Sequence, residues 1–387
     1  MLFLALQIAP QNGKRPVLLA ARNAHKALLY AAALLDFDIR WLWPSAQAEG
    51  ALCSCPVTAE ALTGALHALA QQGIEPFGVY VTSPDYLGGV QDIPAMAAVC
   101  RAQGVPLLVD NAHGAYLRFL PQNCHPIAQG AAMCCDSAHK TLPVVTGGAY
   151  LHLAHDAPVQ DEAAVQGALA LFGSTSPSYL ILQSLDACNA VLAGDYPRRL
   201  AQCCAALEGL RRSLNKAAAA RQCPLPLAVA GAQQEPMKLT LDAAALGCTG
   251  TALAESLRRA QMECEYADPR YVVLMFTPEN PPQDYTRLQT ALEQLLAAVP
   301  AGLPRPENRA GEFAALQQQA EQRCTIRQAV LGAQVRIPVH KALGRVCAMP
   351  TVSCPPAIPV AVSGEEITPA AIALMQRYGI EELSVLR

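Results

Sequence analysis

The chain has 387 residues, 52% of them hydrophobic and 15% charged, which is enough apolar material for two or three packed domains and excludes extensive disorder. Its net charge is −3 and it has no Lys/Arg run, which argues against nucleic acid or an anionic membrane surface as a partner. The apolar stretches are shorter than the roughly 20 residues of a membrane-spanning helix, and MLFLALQIAPQNGKR is a poor signal peptide.

The fifteen cysteines predict reduced thiols rather than disulfides or metal ligands. Their number is odd, no C-x-x-C pair occurs, and many lie among Ala and Val, where cysteine is a small apolar side chain. We therefore expect a cytoplasmic protein without a metal site.

From residue 17 to residue 153, short apolar runs alternate with longer amphipathic stretches. Helices are predicted at 58–72 and 92–103, with Thr58 and Asp92 as N-caps. Strands are predicted at PVLLAA, DIRWLW, FGVYVTS, VPLLVDNA and GGAYLHL. Alternation of strands and helices indicates an α/β fold with a mainly parallel sheet, which keeps its ligand site at the carboxyl ends of the strands.

A second unit begins after a long helical stretch at 178–215. MKLTLDA and RYVVLMFT are predicted strands, with helices at 249–262 and 284–298, which indicates a small α+β domain. The Pro/Gly-rich stretch 300–311 is a predicted linker. The predicted organisation is a large domain, a small α+β domain and a C-terminal subdomain, at 1–215, 216–300 and 301–387.

Two segments contain the residues for a chemical reaction. VDNAHGAY places Asp110 at the end of an apolar strand, although a lone aspartate there is more often a turn cap. About thirty residues later, CDSAHKTLPVV places Lys140 after Ser137 and His139, just before an apolar strand. A lone lysine is usually a solvated charge, but this one has polar neighbours at a strand edge.

Schiff-base chemistry explains why these residue types occur together. A partly desolvated lysine amine attacks the aldehyde of a cofactor, and a carboxylate keeps the cofactor's pyridine nitrogen protonated, so that the ring accepts electrons. Lys140 and Asp110 fit these two roles. Ser137 and His139 fit the role of phosphate ligands.

These segments resemble the Orn/Lys/Arg decarboxylase family of fold-type I pyridoxal 5'-phosphate (PLP) enzymes. The resemblance follows the family's order over nearly the whole chain. The matching segments are ARNAHKAL (21–28), TSPDYLGG (82–89), VDNAHGAYLRF (109–119), DSAHKTLPVVTGGAYLH (136–152), STSPSYLILQSLD (174–186), EPMKLTLDAAALGCTG (235–250) and, more weakly, CPPAIPVAVSGEEIT (354–368).

The resemblance implies a role for each matching residue. Lys140 would bind PLP covalently, Asp110 would pair with the pyridinium, and Ser137 and His139 would contact the phosphate. His25 would stack on one face of the ring and Ala112 would pack on the other, although His25 taken alone reads as a helix-start histidine. The segment containing Ser174, Thr175 and Ser176 would reach the phosphate of a neighbouring subunit, which implies a homodimer or a higher homo-oligomer.

Other histidines and one glutamate have no firm role in the sequence. His113 could orient Asp110 or satisfy a backbone group. His67, His152 and His155 are interpreted as surface or packing residues. Glu365 occupies the family's G-E position.

The chain departs from the family at several positions. Asn111 replaces the usual acidic residue, Ala27 replaces a serine, and the Tyr-Pro-Pro-Gly motif reads Cys354-Pro355-Pro356-Ala357. Only 21 residues precede Arg22, without the family's Gly-Ser-Thr loop that binds the cofactor phosphate at a helix N-terminus. The sequence therefore predicts a form that lacks an N-terminal segment and binds PLP poorly.

The expected function is PLP-dependent decarboxylation of arginine, lysine or ornithine to the amine and CO2, in polyamine metabolism. An aminotransferase or an aldolase-like lyase of the same fold is one alternative, because that fold shares the Asp and the Lys. A non-enzymatic remnant is the other.

Overall fold

The computed structural model describes residues 1–9, 13–44, 51–223, 226–231, 233–300, 310–350 and 357–387. Cys354, Pro355 and Pro356 of the C-terminal motif, and most of the predicted linker, lie outside these ranges.

Six strands form the central sheet. They are β1 (Val17–Ala21), β2 (Asp38–Leu42), β3 (Val79–Thr82), β4 (Leu107–Asp110), β5 (Met133–Asp136) and β6 (Tyr150–Leu153). Their spatial order is β2-β1-β3-β4-β5-β6, and every neighbouring pair is parallel except β5 and β6. The predicted mainly parallel sheet is confirmed.

Helices cover this sheet on both faces. They are α1 (Leu2–Gln7), α2 (Lys26–Leu35), α3 (Ala59–Gln71), α4 (Ile93–Ala102), α5 (Ala138–Thr141), α6 (Glu162–Phe172) and α7 (Tyr179–Ala193). Thr58 caps α3 and Asp92 caps α4 through side-chain oxygens, as the sequence predicts. Successive residues of β1 point to opposite faces: Leu18 shares a core cluster with Leu28 of α2, and Leu19 shares one with Leu62 of α3.

The segments that form strands before and after Lys140 differ from those predicted from the sequence. The strand expected directly after Lys140 begins only at Tyr150, since residues 142–149 lie outside helices and strands. Pro143, which cannot donate to a strand ladder, and Gly147, with a φ of 100°, explain why this apolar run does not form a strand. The strand that precedes the lysine is β5, which the sequence analysis missed.

The predicted small α+β unit is built on an antiparallel sheet. Its strands are β7 (Lys238–Asp242), β8 (Tyr266–Ala267) and β9 (Tyr271–Met275), in the order β7-β9-β8. The associated helices are α8 (Tyr196–Ala220), α9 (Gly250–Arg259) and α10 (Pro282–Ala298). Leu207 of α8, Leu253 of α9 and Leu292 of α10 share one core cluster with Leu239 of β7.

The C-terminal part packs against both other parts. It contains α11 (Ala310–Gln319), α12 (Ile326–Leu331), β10 (Gln334–Pro338), α13 (Pro369–Arg377) and β11 (Glu382–Leu386), with β10 and β11 antiparallel. Its core cluster joins Val360 and Ile367 to Leu87 of the N-terminal part and to Tyr266 of β8. Because α8 crosses residue 215 and these cores are shared, the domain division at 215 and 300 stays a prediction.

Among the described helices, none combines the length and the apolar character needed to cross a membrane.

Candidate active site

Asp110 lies at the carboxyl end of β4, where the sequence placed the site. Its Oδ1 accepts a hydrogen bond from the backbone N of Ala112 at 3.2 Å, which is the expected turn-cap contact. Its Oδ2 accepts a hydrogen bond from the Tyr80 hydroxyl at 2.9 Å. Burial, together with the negative charge of Asp110, raises the pKa of Tyr80 well above its ordinary value, so the hydroxyl stays protonated and donates. Asp110 is therefore a fixed carboxylate as well as a turn cap.

Lys140 lies in α5, and within the described part of the chain its amine contacts His113. The Lys140 Nζ is 3.2 Å from the His113 Nε2 and 6.0 Å from the centroid of the Tyr86 ring. Burial, and then the charges of Lys238 and Lys140, lower the pKa of His113 well below its usual value. The neutral imidazole thus accepts a hydrogen bond from the lysine. Neither role considered for His113 from the sequence involved this contact.

His113 is itself held in a buried position. Its ring packs edge-on against Tyr86, with 4.8 Å between the ring centroids. The second ring nitrogen, Nδ1, is buried and has no hydrogen-bond partner among the described residues. In the tautomer that accepts from Lys140, this nitrogen carries a proton, so the site contains an unused buried donor.

His25 does cap a helix, as its sequence position alone suggested. Its Nδ1 accepts a hydrogen bond from the backbone N of Ala27 at 3.2 Å, at the start of α2. Burial lowers the pKa of His25, and the charges of Asp110 and Lys140 act on it in opposite directions. The half-buried imidazole therefore lies near both central residues, although its stacking role remains a prediction.

Ser137 and His139 flank Lys140 in sequence and lie half-buried near the start of α5. The Ser137 hydroxyl makes no capping hydrogen bond to α5 within the described chain, so it is available to a ligand. The Nδ1 of His139 lies 3.0 Å from the carbonyl oxygen of Gly148. A contact of His139 with a ligand would therefore use its other ring nitrogen, Nε2.

The segment Ser174–Ser176 lies between α6 and α7 and is exposed. The backbone N of Ser176 donates to the Ser174 hydroxyl at 3.1 Å. Large apolar side chains are also exposed on the two helices that flank it. They are Leu169, Leu171, Phe172, Tyr179, Leu180 and Leu182.

Lys238 is a second amine near the site, which the sequence analysis did not include. Its buried Nζ donates to the carbonyl oxygen of Asp85 at 2.7 Å and lies 5.8 Å from the Tyr86 ring centroid. Burial lowers the pKa of Lys238 and raises that of the Asp85 carboxyl to about 6. Only a three-dimensional structure could reveal that Lys238 lies beside Asp85, because β7, which begins at Lys238, comes more than a hundred residues after both Asp85 and the end of β4.

Glu365 forms an ion pair with Arg22, which the sequence position of Glu365 did not indicate. Its Oε2 is 3.7 Å from Nη2 of Arg22, and both side chains are buried. Arg22 belongs to the segment ARNAHKAL, which also contains His25. The pair thus connects the predicted site to the C-terminal part.

Of the three histidines interpreted as surface or packing residues, His67 and His155 are exposed. His152 is partly exposed, and its Nε2 also lies 3.1 Å from the Asp136 Oδ2, a contact that the sequence did not indicate. The strand pairing of β5 with β6, which was not predicted, produces this contact.

Ala357, in the position of the family's glycine, has a φ of 58°. Side chains other than glycine rarely adopt this left-handed conformation. The departure noted in the sequence therefore falls at a position where the backbone geometry favours glycine.

The fold can be compared with solved structures. The constitutive lysine decarboxylase of E. coli superposes with a TM-score of 0.72 over 99% of this chain and 68% of that chain, at 19% sequence identity. An alanine–glyoxylate aminotransferase from Nostoc superposes with a TM-score of 0.56 over 76% of this chain and 77% of that chain, at 18% identity. The chain therefore has the PLP-dependent transferase-like, fold-type I architecture.

Sequence relatives are more specific. The family model described as "Orn/Lys/Arg decarboxylase, major domain" matches residues 7–233. An arginine decarboxylase of Bacillus subtilis is 27% identical over 362 residues, which cover 90% of this chain and 70% of that protein. The chain belongs to the Orn/Lys/Arg decarboxylase family, as its motifs indicated.

The described residues fit the cofactor of this fold. The Lys140 amine is paired with a neutral imidazole, and no ion pair with a carboxylate is found for it among the described residues. Asp110 is held at a strand end by Tyr80. The Ser137 hydroxyl and the buried Nδ1 of His113 supply donors that have no partner among the residues described.

Proposed function

We propose that this chain catalyses the PLP-dependent decarboxylation of a basic amino acid, arginine, lysine or ornithine, to the corresponding amine and CO2. The observation that supports it most is that the Lys140 amine lies 3.2 Å from the neutral imidazole of His113. Lys140 belongs to the segment that follows β5, and β5 pairs with β4, the strand that ends at Asp110. Membership of the decarboxylase family supports the reaction type.

Each central residue has one task in this proposal. When bound, PLP supplies an electron sink for the pair of electrons left by CO2. Lys140 provides the amine that attaches the cofactor, and His113 positions that amine by accepting its hydrogen bond. Asp110 holds a proton on the pyridine nitrogen, while the Tyr80 hydroxyl fixes the orientation of its carboxylate.

The remaining predicted residues surround the cofactor. His25 would lie on one face of the ring and Ala112 on the other. Ser137 and His139 would donate to the phosphate, whose charge makes such hydrogen bonds strong.

We further propose that the active unit is a homodimer or a higher homo-oligomer. Ser174, Thr175 and Ser176 are exposed, so they could reach the phosphate of a second copy. The exposed apolar side chains of α6 and α7 beside them form the kind of surface that protein interfaces cover. Replacing Leu180 by aspartate should shift the chain towards monomer in analytical ultracentrifugation and lower its PLP content.

A carboxylate near the site could neutralise the distal cation of a basic substrate. The Tyr86 hydroxyl donates to Oε1 of Glu265 at 3.1 Å, while the same ring lies 6.0 Å from the Lys140 amine. Glu265 is exposed and can therefore meet a substrate. Glu265→Gln should raise KM for the basic amino acid and leave kcat nearly unchanged.

The amine products suggest a place in polyamine metabolism. We also propose a cytoplasmic location, because the odd number of cysteines and the lack of a C-x-x-C pair in the sequence favour reduced thiols.

The direct test is to incubate the purified chain with each of the three amino acids and with a large excess of PLP, because the sequence predicts weak cofactor binding, and to measure CO2 and amine. Borohydride reduction and peptide mapping should place the pyridoxyl group on Lys140. Lys140→Ala should abolish turnover, whereas Lys216→Ala, at an exposed position on α8, should not. A keto acid product would identify an aminotransferase instead. A label on Lys238 or Lys26 would show that the lysine is wrongly assigned.

A further inference from the structure

A second cluster of polar side chains lies where β5 pairs with β6. Cys134 and Asp136 are two residues apart on β5 and therefore point to the same face of the sheet. His152 on β6 is paired in register with Cys134. His125, from the segment that precedes β5, contacts the same carboxylate. Strand alternation and register thus bring together two imidazoles, a carboxylate and a thiol.

Two distances in this cluster match the spacing of ligand atoms in a metal site. The Nε2 atoms of His125 and His152 each lie 3.1 Å from the Oδ2 of Asp136. One potential ligand atom from each of the three residues lies within 4.8 Å of the other two. Zinc binds nitrogen and oxygen ligands at about 2.0–2.2 Å in a tetrahedron, so its ligand atoms are roughly 3.3 Å apart. The two measured separations are close to that value.

Surrounding groups already orient the carboxylate. The Asn111 amide donates from Nδ2 to the Oδ1 of Asp136 at 2.7 Å, which leaves Oδ2 to face the imidazoles. The Cys134 Sγ lies 3.7 Å from the His125 Nε2. Outer hydrogen bonds of this kind fix the ligands of metal sites. Two imidazole ligands favour zinc over magnesium or calcium, which prefer oxygen ligands.

The alternative is a hydrogen-bond network in which Asp136 simply accepts from both imidazoles. Metal binding requires a proton on Nδ1 of His125, so it would give up the contact from the backbone N of Ile127, which is long at 3.4 Å. In exchange, one ion would neutralise the buried carboxylate and bind both Nε2 atoms at once. A cavity of about 430 Å³, lined in part by all three residues, leaves room for water as the fourth ligand.

We propose that His125, Asp136 and His152 bind one divalent ion of the zinc class, with the fourth coordination position open to this cavity. The ion would connect β6 and the segment that carries His125 to Asp136 of β5, which lies four residues before Lys140. This proposal does not depend on the decarboxylase activity, because its test measures metal binding and stability.

The test uses the full chain, stripped with a chelator and titrated with Zn2+ by calorimetry without added PLP. The parent should bind one high-affinity equivalent and melt at a higher temperature when Zn2+ is present. His152→Asn is the key variant, because this side chain is 37% exposed and its replacement should leave the fold intact. Outer-shell changes alone weaken metal sites by about 10–100-fold, so the loss of a ligand should exceed about a hundredfold.

His67→Asn is the matched control, since it removes an exposed imidazole on α3. It should bind Zn2+ like the parent, and circular dichroism should be the same for all three proteins. The proposal is overturned if the stripped parent takes up no Zn2+. It is also overturned if His152→Asn binds as tightly as His67→Asn, because the ion would then be held by other groups, such as the many thiols.

Discussion

The buried pair of Arg22 and Glu365 gives the sharpest prediction of stability. Besides the 3.7 Å contact with Glu365, the Arg22 guanidinium donates to the carbonyl oxygens of Pro359 and Val360, each at 2.8 Å. It therefore binds the start of the predicted site to the C-terminal part through three polar contacts. Arg22→Met keeps much of the side-chain length and removes all of them.

The expected loss is large because Glu365 would remain buried without its counter-charge. Breaking a buried ion pair by removing one partner costs about 3–5 kcal/mol. Burial raises the pKa of Glu365, and the charge of Arg22 opposes this rise. Without Arg22 the carboxyl should take up a proton more readily, so the deficit of the variant should shrink as the pH falls towards 4.5.

The assay is urea unfolding of the parent, Arg22→Met, Glu365→Gln and the double variant. Because the double variant no longer carries an unpaired buried charge, it should be about 1–2 kcal/mol more stable than Arg22→Met. Arg40→Met, an exposed arginine on β2, is the matched control and should change stability by less than about 0.5 kcal/mol. The reasoning fails if Arg22→Met stays within about 1 kcal/mol of the parent, or if the two single losses add in the double variant.

Three further predictions concern the candidate site. Asp110→Asn should fold normally but lower kcat by about a thousandfold. Tyr80→Phe should lower kcat by about tenfold, because it removes one hydrogen bond to a charged group. Near-parental rates for Asp110→Asn would show that Asp110 is a turn cap alone. Ser137→Ala should weaken PLP binding by about tenfold or more in absorbance titrations, whereas Ser178→Ala, at the exposed start of α7, should not. Burial raises the pKa of the Asp85 carboxyl from 3.8 to about 6, so the native state binds this proton more tightly than the unfolded chain does. Protonated Asp85 therefore stabilises the fold at low pH, and this stabilisation is lost as the pH rises from 3.8 to about 6. Asp85→Asn should flatten the pH dependence of unfolding there, and an unchanged slope would contradict the assignment.

Much of the sheet could be predicted from the sequence, because buried parallel strands are continuous apolar runs separated by amphipathic helices. β5 was missed because its four residues, MCCD, combine two cysteines with a terminal aspartate and have little strand character. TLPVV was mistaken for a strand because its β-branched residues suggested one, although Pro143 and Gly147 favour turns.

Within the site, Asp110 and Lys140 could be found because each stands at a strand edge in a recognisable motif. Their partners could not. The contact of Tyr80 with Asp110 depends on the pairing of β3 with β4. The contact of His113 with Lys140 depends on how the turn after β4 meets α5 in space. The pairing of Arg22 with Glu365 joins residues from opposite ends of the chain, where a single sequence carries no local signal.

Asn111, which replaces an acidic residue of the family, is explained by its partner. Its amide donates to the Asp136 Oδ1 at 2.7 Å, and both side chains are buried. A carboxylate in its place would set two negative charges at hydrogen-bond distance, a repulsion of about 4 kcal/mol at the effective dielectric constant of a protein. Gly114 allows this arrangement, because a Cβ there would collide with the Asn111 Oδ1. The amide thus joins the end of β4, which carries Asp110, to the end of β5, which leads to Lys140. Asparagine at position 111 therefore preserves the spacing of Asp110 and Lys140, on which the proposed chemistry depends.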